Sequence, residues 1–157
     1  MHQKQQKTGS PENRLILERQ LCFALYSTSL AMTKLYRPLL DPLGLTYPQY
    51  LVMLVLWEQD GITISDLGDR LTLDSGTLTP LVKRLEKLAL IKRQRDPEDE
   101  RRVRVSLTKQ GRNLRQRADS IPAAAGAATG CSFKDLDDLT AKITDLRRCM
   151  ALQKEIS

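Results

Sequence analysis

The pattern of apolar and polar positions changes abruptly in the middle of the chain. Segments 64–71 and 75–88 carry apolar residues at helical spacing. Segments 90–95 and 103–108 instead alternate apolar with polar side chains, which is the period of β-strands. The polar segment 96–102 separates the two strands. This order predicts two short helices followed by a β-hairpin, the arrangement of a winged helix-turn-helix.

Helices are also expected before this unit. The first runs from about Pro11 to Leu35, where the approach of Pro38 would end it. It carries more apolar surface than a helix packed on one side needs. The next begins at Thr46, with Gln49 placed to complete a capping box, and its apolar residues on every side indicate buried core.

Further helices are expected after the hairpin. Thr108 is placed to cap a basic helix that extends to about Ile121. Residues 122–130 are small and uncharged, so we expect a weakly held helix end or hinge there. Ser132, with Asp135 three positions later, starts the last helix.

The fold class is therefore mainly α with a small β-hairpin wing. The first helix and the last two lack partners in a minimal winged helix-turn-helix, which predicts that they pack against a two-fold-related copy. We expect a disordered tail at 1–10, dimerisation helices at 11–45 and 109–157, and a winged helix-turn-helix DNA-binding domain at 46–108.

Positive charge is concentrated on this unit. Residues 69–117 hold 14 Lys and Arg against 7 Asp and Glu, whereas the rest of the chain holds 11 against 12. The whole excess of the net charge of +6 therefore lies in one segment. A focused basic face is what neutralisation of DNA phosphates requires.

Other features narrow the class of protein. The polar N-terminus resembles no signal peptide, and no apolar run reaches the ~20 residues of a membrane span, so we expect a cytoplasmic protein without a membrane partner. Cytoplasmic thiols stay reduced, so the three cysteines predict no disulfide scaffold. His2 and the dispersed cysteines have no metal-ligand spacing, and no metal or other cofactor is expected.

The second helix of the pair carries candidate DNA contacts. Ser75, Thr77 and Thr79 lie at its start, where short hydroxyls can meet phosphate oxygens or base edges near the positive end of the helix dipole. Lys83 and Arg84 lie further along and can reach the backbone or guanine. Pro80, inside this helix, predicts a slight kink or a later start.

The hairpin tip carries a second candidate contact. Arg101 and Arg102 can enter a narrow minor groove, where negative potential is concentrated. Asp99, two residues before Arg101, is placed to hold its guanidinium by a bidentate pair. An ordinary exposed ion pair of little energetic value is the alternative.

The wing motif resembles that of a known family. Asp99-x-Arg101-Arg102 followed by Val103-x-Val105-x-Leu107-Thr108, behind a helix-turn-helix, is similar to the MarR family of dimeric bacterial repressors. The resemblance extends from about residue 15 to the end of the chain. It implies a MarR-like, intertwined homodimer with interlocking terminal helices, whose partner is double-stranded DNA.

A narrower resemblance involves Cys22, Tyr26, Tyr36, Tyr47 and segment 73–81, which resemble the OhrR group of organic-hydroperoxide sensors. It implies that an organic hydroperoxide oxidises Cys22 and repression is lost. It also implies that two phenols, here those of Tyr36 and Tyr47, hold the reduced thiol by hydrogen bonds. In a two-cysteine subgroup the oxidised thiol forms an inter-subunit disulfide, and Cys131 occupies the corresponding second place.

The residues themselves suggest how such a site would work. A sensor cysteine must react as the thiolate. Arg19, three positions before Cys22, is expected on the same helical face, where it would favour that charge. Tyr26, one turn after Cys22, is expected to line the pocket. Tyr36 and Tyr47 are expected to converge across the short loop between their helices.

Alternatives remain open on the residues alone. Cys22 can be a small core residue of an apolar helix, and Cys149 is expected to have no role. The chain can also be a MarR-type repressor released by a small phenolic or aromatic ligand in the dimer crevice. A thiol peroxidase or a protein-interaction module are further candidates. The focused charge disfavours the last, and no catalytic set, such as Ser/His/Asp, supports an enzyme.

Overall fold

The computed structural model describes residues 15–156, and that range contains seven α-helices and one three-stranded antiparallel sheet. In chain order the elements are α1 (Leu21–Leu40), α2 (Tyr47–Glu58), β1 (Ile62–Thr63), α3 (Ile64–Leu71), α4 (Ser75–Lys87), β2 (Ile91–Arg95), β3 (Val103–Leu107), α5 (Lys109–Ala118), α6 (Ile121–Ala128) and α7 (Phe133–Ile156). The strand order is β1-β3-β2. The tail predicted at residues 1–10 lies outside the described residues.

Helix α1 begins and ends later than the sequence predicted. A separate 3-10 helix, Leu17–Arg19, precedes it, and Gln20 between them has an extended backbone. The side chain of Gln20 donates to the Ile16 carbonyl at 3.1 Å, a local bond that competes with a continuous helix. Pro38 does not end α1, because the helix continues past it to Leu40 with the loss of one backbone donor.

The helix-turn-helix has the predicted bounds within one residue. Thr63 accepts a hydrogen bond from the backbone N–H of Asp66 and begins α3. Asp74 caps α4, and the predicted capping box of Thr46 and Gln49 begins α2. Apolar faces of α2, α3 and α4 form the core; its fully buried side chains include Val52, Met53, Leu56, Leu67, Leu78, Val82 and Leu85.

The hairpin pairs as the alternation predicted. Ile91 lies opposite Leu107 and Arg95 opposite Val103 in an antiparallel register. Strand β1 adds a third partner, with Ile62 opposite Val105. This strand was not predicted, because two residues are too few to show an alternation.

The segment predicted as a weakly held helix end or hinge contains a separate helix, α6. Helix α5 ends at Ala118 rather than near Ile121, and α6 follows it with Ile121, Ala125 and Gly126 buried. The lack of a side chain at Gly126 makes room for the Phe133 ring: a Cβ there would lie 2.6 Å from it. Ser132 and Asp135 cap α7 as predicted.

The terminal helices leave large apolar side chains uncovered. Those on α1 and the turn before it are Leu15, Ile16, Leu17, Leu21, Tyr26 and Leu30, and those on α7 are Phe133, Leu139, Ile143, Met150 and Leu152. Among residues 15–156 no helix is by itself long and apolar enough to cross a membrane; Leu21–Leu43 and Tyr47–Glu58, bent by 68°, meet that test only as a pair.

Candidate DNA-binding surface and redox site

Helix α4 presents a polar face opposite its core face. Ser75, Thr77, Lys83 and Arg84 are exposed and Thr79 is half-buried, so the candidate contacts lie on or beside one face. Pro80 lies inside the helix, which still runs without a break from Ser75 to Lys87. The predicted later start of this helix is therefore wrong.

Thr77 serves as a partner of the helix cap. Its backbone N–H donates to Asp74 at 2.9 Å, and its hydroxyl donates to the other carboxylate oxygen at 3.1 Å. These bonds, the backbone one first, lower the pKa of Asp74. The Thr77 hydroxyl donates its proton to Asp74. Its oxygen can therefore only accept a hydrogen bond from any further partner.

The tip of the wing is organised by Asp99. Its carboxylate accepts the Arg101 Nε at 3.1 Å and a second guanidinium N–H at 3.5 Å, so the predicted pair is present. It also accepts the Arg101 backbone N–H. The bonds from Arg101 lower the pKa of Asp99. The Arg101 side chain nevertheless stays 91% exposed, which leaves its guanidinium accessible.

A second acidic residue fixes the base of the wing, and the sequence did not reveal it. Asp96 is buried, and it accepts the backbone N–H of Glu98 and the Arg104 Nε, at 2.9 and 2.8 Å. These bonds, the backbone one first, lower the pKa of Asp96. Arg104 also donates to the Gly61 carbonyl at 2.9 Å, which connects the wing to the start of β1. The backbone of Arg102 bonds to both Asp96 and Asp99.

The wing is also tied to the second helix of the pair. Glu86 of α4 accepts the Arg93 backbone N–H at 3.1 Å and its Nε at 2.8 Å. Hydrogen bonding by Arg93 lowers the pKa of Glu86. The only sequence signal was opposite charge seven positions apart, which is too common to identify a pair.

Cys22 lies in the first turn of α1 and is an exposed, free thiol. Tyr26, one turn later, is 65% exposed. Arg19 belongs to the preceding 3-10 helix, and the extended Gln20 separates it from α1. The prediction that Arg19 and Cys22 share a face of one helix is therefore wrong.

Three phenols meet between α1 and α2. The rings of Tyr36 and Tyr47 have centroids 4.8 Å apart, as the loop between their helices predicted, and Tyr50 lies 5.9 Å from Tyr36. Burial, followed by repulsion from Tyr47, raises the pKa of Tyr36, and burial raises that of Tyr47. The pKa of Tyr50 rises to about 12. These groups therefore stay protonated and can donate hydrogen bonds at neutral pH.

The phenols are far from Cys22 of the same chain. Cys22 and Tyr36 are fourteen residues apart on the uninterrupted helix α1, a separation of roughly 21 Å at 1.5 Å per residue. A hydrogen bond between them within one subunit is excluded. Cys131 lies exposed between α6 and α7, with its Sγ 3.9 Å from the Thr129 carbonyl oxygen, and it is also a free thiol.

A groove of about 410 Å³ lies beside the phenols, between the C-terminal half of α1 and the start of α2. Its walls are formed by Thr33, Lys34, Arg37, Asp41, Leu45, Thr46, Tyr47 and Pro48. Tyr47 thus belongs both to the groove and to the phenol cluster. A smaller cavity of about 160 Å³ lies between α2 and the α5–α6 region, against Tyr50, Trp57 and Arg115.

Comparison with known proteins identifies the fold's relatives. A family model described as transcriptional regulator SarA/Rot matches residues 34–118. The chain belongs to this family of MarR-like, winged-helix transcriptional regulators. The predicted MarR resemblance and the mainly α winged fold are confirmed. Because its relatives are named transcriptional regulators, the chain is a regulator and not an enzyme, as the sequence predicted.

Individual relatives are close. The organic hydroperoxide resistance transcriptional regulator of Bacillus subtilis (strain 168) is 49% identical over 130 residues, 83% of this chain and 88% of that protein. The structure of reduced AbfR bound to DNA has a TM-score of 0.71 and 34% identity, over 90% of this chain and 95% of that one. The structure of disulfide-formed AbfR has a TM-score of 0.58 and 35% identity, over 83% and 91%. AbfR comes from Staphylococcus epidermidis.

Proposed function

We propose that the chain is a redox-sensing transcriptional repressor that binds a near-palindromic DNA operator as a homodimer and releases it when an organic hydroperoxide oxidises Cys22. The observation that carries the proposal is an exposed thiol at one end of α1 and a cluster of protonated phenols at the other. The relative named for organic hydroperoxide resistance supports it, as do the DNA-bound reduced and disulfide-formed structures of AbfR.

Dimerisation would bring these separated parts together. The uncovered apolar side chains of α1 and α7 need a partner, and a second copy related by a two-fold axis supplies the same surface. If the two α1 helices pack antiparallel, the thiol of one subunit approaches the Tyr36 and Tyr47 phenols of the other. Each site would then contain groups from both chains, with Tyr26 at its edge.

The winged unit would hold DNA in two grooves. Helix α4 would enter the major groove with Ser75, Thr77 and Thr79 near phosphates and base edges, and Lys83 and Arg84 further along. Arg101 and Arg102 of the wing would enter the adjacent minor groove. Two such units, one from each subunit, would occupy two half-sites about one helical turn apart. A repressor must reach its operator, so a cytoplasmic location is part of this proposal.

The chemistry would proceed in two balanced steps. The Cys22 thiolate attacks the outer peroxide oxygen, an S–O bond forms, the O–O bond breaks, and the alkoxide takes up a proton and leaves as an alcohol. The sulfenic acid then reacts with the Cys131 thiol of the other subunit, forming a disulfide and releasing water. Bridging requires the two Cα atoms to come within ~7 Å, so if Cys131 starts further from Cys22 than this, the start of α7 would be displaced.

An operator-binding titration tests the proposal. Reduced protein should bind, protein treated with an organic hydroperoxide should not, and Cys22→Ser should bind in both conditions. A Cys22→Ser protein that is still released by the peroxide would eliminate the redox role. Peroxide consumption far above one equivalent per Cys22 would indicate turnover and favour a thiol peroxidase.

A second variant tests the resolving thiol. Cys131→Ser should keep the first oxidation but form no inter-subunit disulfide on a non-reducing gel. Cys149→Ser is the matched control, because it removes another exposed thiol of the same chain. Wild-type protein that remains a single chain on the gel after oxidation would show that Cys131 does not resolve the sulfenic acid.

A second candidate is a repressor released by a small phenolic or aromatic ligand in the dimer crevice, and the cavity beside Tyr50 and Trp57 does not favour it. Its volume of about 160 Å³ is below the roughly 300 Å³ at which small-molecule sites begin. Release of Cys22→Ser from the operator by such a ligand alone would favour this candidate over the redox sensor.

A further inference from the structure

The loop that carries Cys131 is fastened to Gly126 from both sides. The Thr129 hydroxyl, two residues before the cysteine, accepts the Cys131 backbone N–H at 3.2 Å and donates to the Gly126 carbonyl at 2.7 Å. The Phe133 ring, two residues after the cysteine, lies so close to Gly126 that a Cβ there would be 2.6 Å from it. Gly126 is itself buried on α6, so both ends of the loop are held by one buried residue.

The thiol of Cys131 is engaged in the same loop. Its Sγ lies 3.9 Å from the Thr129 carbonyl oxygen, a contact open to the weak S–H donor. The Thr129 backbone N–H also donates to the Gly126 carbonyl, at 3.1 Å. Thr129 therefore contacts both the backbone and the thiol of Cys131, and it is bonded to Gly126 through two of its own groups. Cys131 is exposed, but it is held in one place.

The proposed release of the operator requires Cys131 to leave this place. If Cys131 already lay within bonding distance of Cys22 of the other subunit, formation of the disulfide would leave the geometry of the dimer unchanged, and the operator would stay bound. The bond can act as a switch only when Cys131 starts elsewhere in the DNA-binding form. The contacts that hold its loop to Gly126 must then open before the disulfide forms.

We propose that Thr129 and Phe133 are positioning residues that latch the resolving cysteine Cys131 to Gly126, and that opening of this latch limits the rate of disulfide formation. The inference rests on the proposed function, because it concerns the second oxidation step. In that step the Cys131 sulfur attacks the sulfenic sulfur of Cys22, the S–S bond forms, the S–O bond breaks, and the leaving hydroxide takes up the Cys131 proton as water.

The latch would also determine how much Cys22 is over-oxidised. While the latch is closed, the sulfenic acid can react with a second hydroperoxide, which transfers one oxygen to give the sulfinic acid and leaves as an alcohol. This reaction competes with the attack by Cys131. A slower opening therefore produces more sulfinic acid at a given concentration of hydroperoxide.

Two variants weaken the latch without changing either thiol. Thr129→Val keeps the shape of the side chain but removes both hydrogen bonds of the hydroxyl, and Phe133→Leu keeps an apolar side chain but removes the ring. The full-length protein is mixed with one equivalent of cumene hydroperoxide per Cys22 and quenched at intervals with a sulfenic-acid trap. Non-reducing mass spectrometry then gives the rate of each step. We expect the first step to be unchanged and the second to be about fivefold faster in each variant.

Thr140→Val is the matched control. Its hydroxyl also donates to a backbone carbonyl, that of Leu136 at 2.7 Å, but on α7 and away from the loop. This variant should keep the wild-type rates of both steps. As a second readout, the two latch variants should need about fivefold more hydroperoxide than the wild type to convert half of Cys22 to the sulfinic acid. All three variants should bind the operator as the wild type does when reduced.

The possible outcomes separate the latch from the proposed function. An unchanged or slower second step in both latch variants, or the same acceleration in Thr140→Val, would overturn the latch and leave the redox function intact. A wild type in which Cys22 is oxidised but no inter-subunit disulfide forms would instead remove the second step of the proposed function, and the latch with it. Failure of cumene hydroperoxide to oxidise Cys22 would remove the redox function as a whole.

Discussion

The carboxylate of Glu86 on α4 accepts hydrogen bonds from both the backbone N–H and the guanidinium of Arg93 on β2. The two side chains are about two-thirds buried, so neither is a freely moving surface charge. This contact joins the helix that would enter the major groove to the first strand of the wing. Together with the bonds among Asp96, Arg104 and Gly61, it fixes the wing relative to the rest of the unit.

Loss of this contact should weaken DNA binding. Glu86→Gln removes the charge while keeping the shape, and we expect operator affinity to fall about fivefold and the free energy of unfolding by at most about 1 kcal/mol. Fluorescence anisotropy with labelled operator measures the first and urea unfolding the second. Glu100→Gln, an exposed site on the wing tip, is the control. Removing that negative charge should, if anything, tighten binding, so weaker binding by Glu86→Gln cannot be a simple charge effect.

Arg101 should contribute as much to the salt dependence of operator binding as the neutralisation of about one phosphate. Arg101→Ala is expected to weaken operator binding and to make the slope of log affinity against log salt shallower by about 0.9. Titrations over a range of salt concentrations measure this slope. Lys142→Ala, on the exposed surface of α7, should leave it unchanged. An unaltered slope in Arg101→Ala would remove the wing tip from the interface.

Asp96 should make stability depend on pH in a defined direction. Its pKa is lowered in the folded protein, so its contribution is complete above the unfolded value of about 3.9 and disappears as the pH falls through the folded value. The stability difference between wild type and Asp96→Asn should therefore be constant near neutral pH and shrink only under strong acid. Urea unfolding at a series of pH values measures it, with Asp137→Asn as an exposed control. A difference that already shrinks near pH 6 would contradict this assignment.

Gly111 should not tolerate a larger side chain. A Cβ there would lie 2.0 Å from the Leu90 carbonyl oxygen, a backbone atom that cannot move without distorting the start of the hairpin. We expect Gly111→Ala to lose more than about 2 kcal/mol of unfolding free energy. Helix propensity alone would make the same change stabilising, by about 1 kcal/mol. Gln110→Ala, the exposed neighbour, should be nearly neutral, and thermal unfolding distinguishes the two signs.

Local signals explain why much of the fold was predictable. Thr63, Asp74 and Thr108 cap their helices with side-chain bonds to residues three positions later, so the sequence alone locates those starts. The convergence of Tyr36 and Tyr47 was predictable for a related reason, because only a short loop separates their helices.

The features that the sequence did not predict depend on contacts that a local sequence pattern does not show. The break before α1 arises from the extended backbone of Gln20, which separates Arg19 from Cys22. Asp96 accepts a hydrogen bond from Arg104, eight residues away, and Arg104 in turn donates to the Gly61 carbonyl, so this arrangement exists only in the fold. The sequence predicted a weakly held helix end or hinge where α6 forms a separate helix, because its small residues pack closely and show no polar pattern.

The roughly 21 Å of rigid helix between Cys22 and Tyr36 has a genetic consequence. In the proposed dimer, each redox site combines Cys22 of one subunit with the phenols of the other. Two chains that carry different substitutions can therefore complement one another. Co-expressing Cys22→Ser with Tyr36→Phe would restore one intact thiol–phenol pair in every mixed dimer. Neither allele would produce such a pair by itself, and such inter-allelic complementation distinguishes shared sites from independent ones.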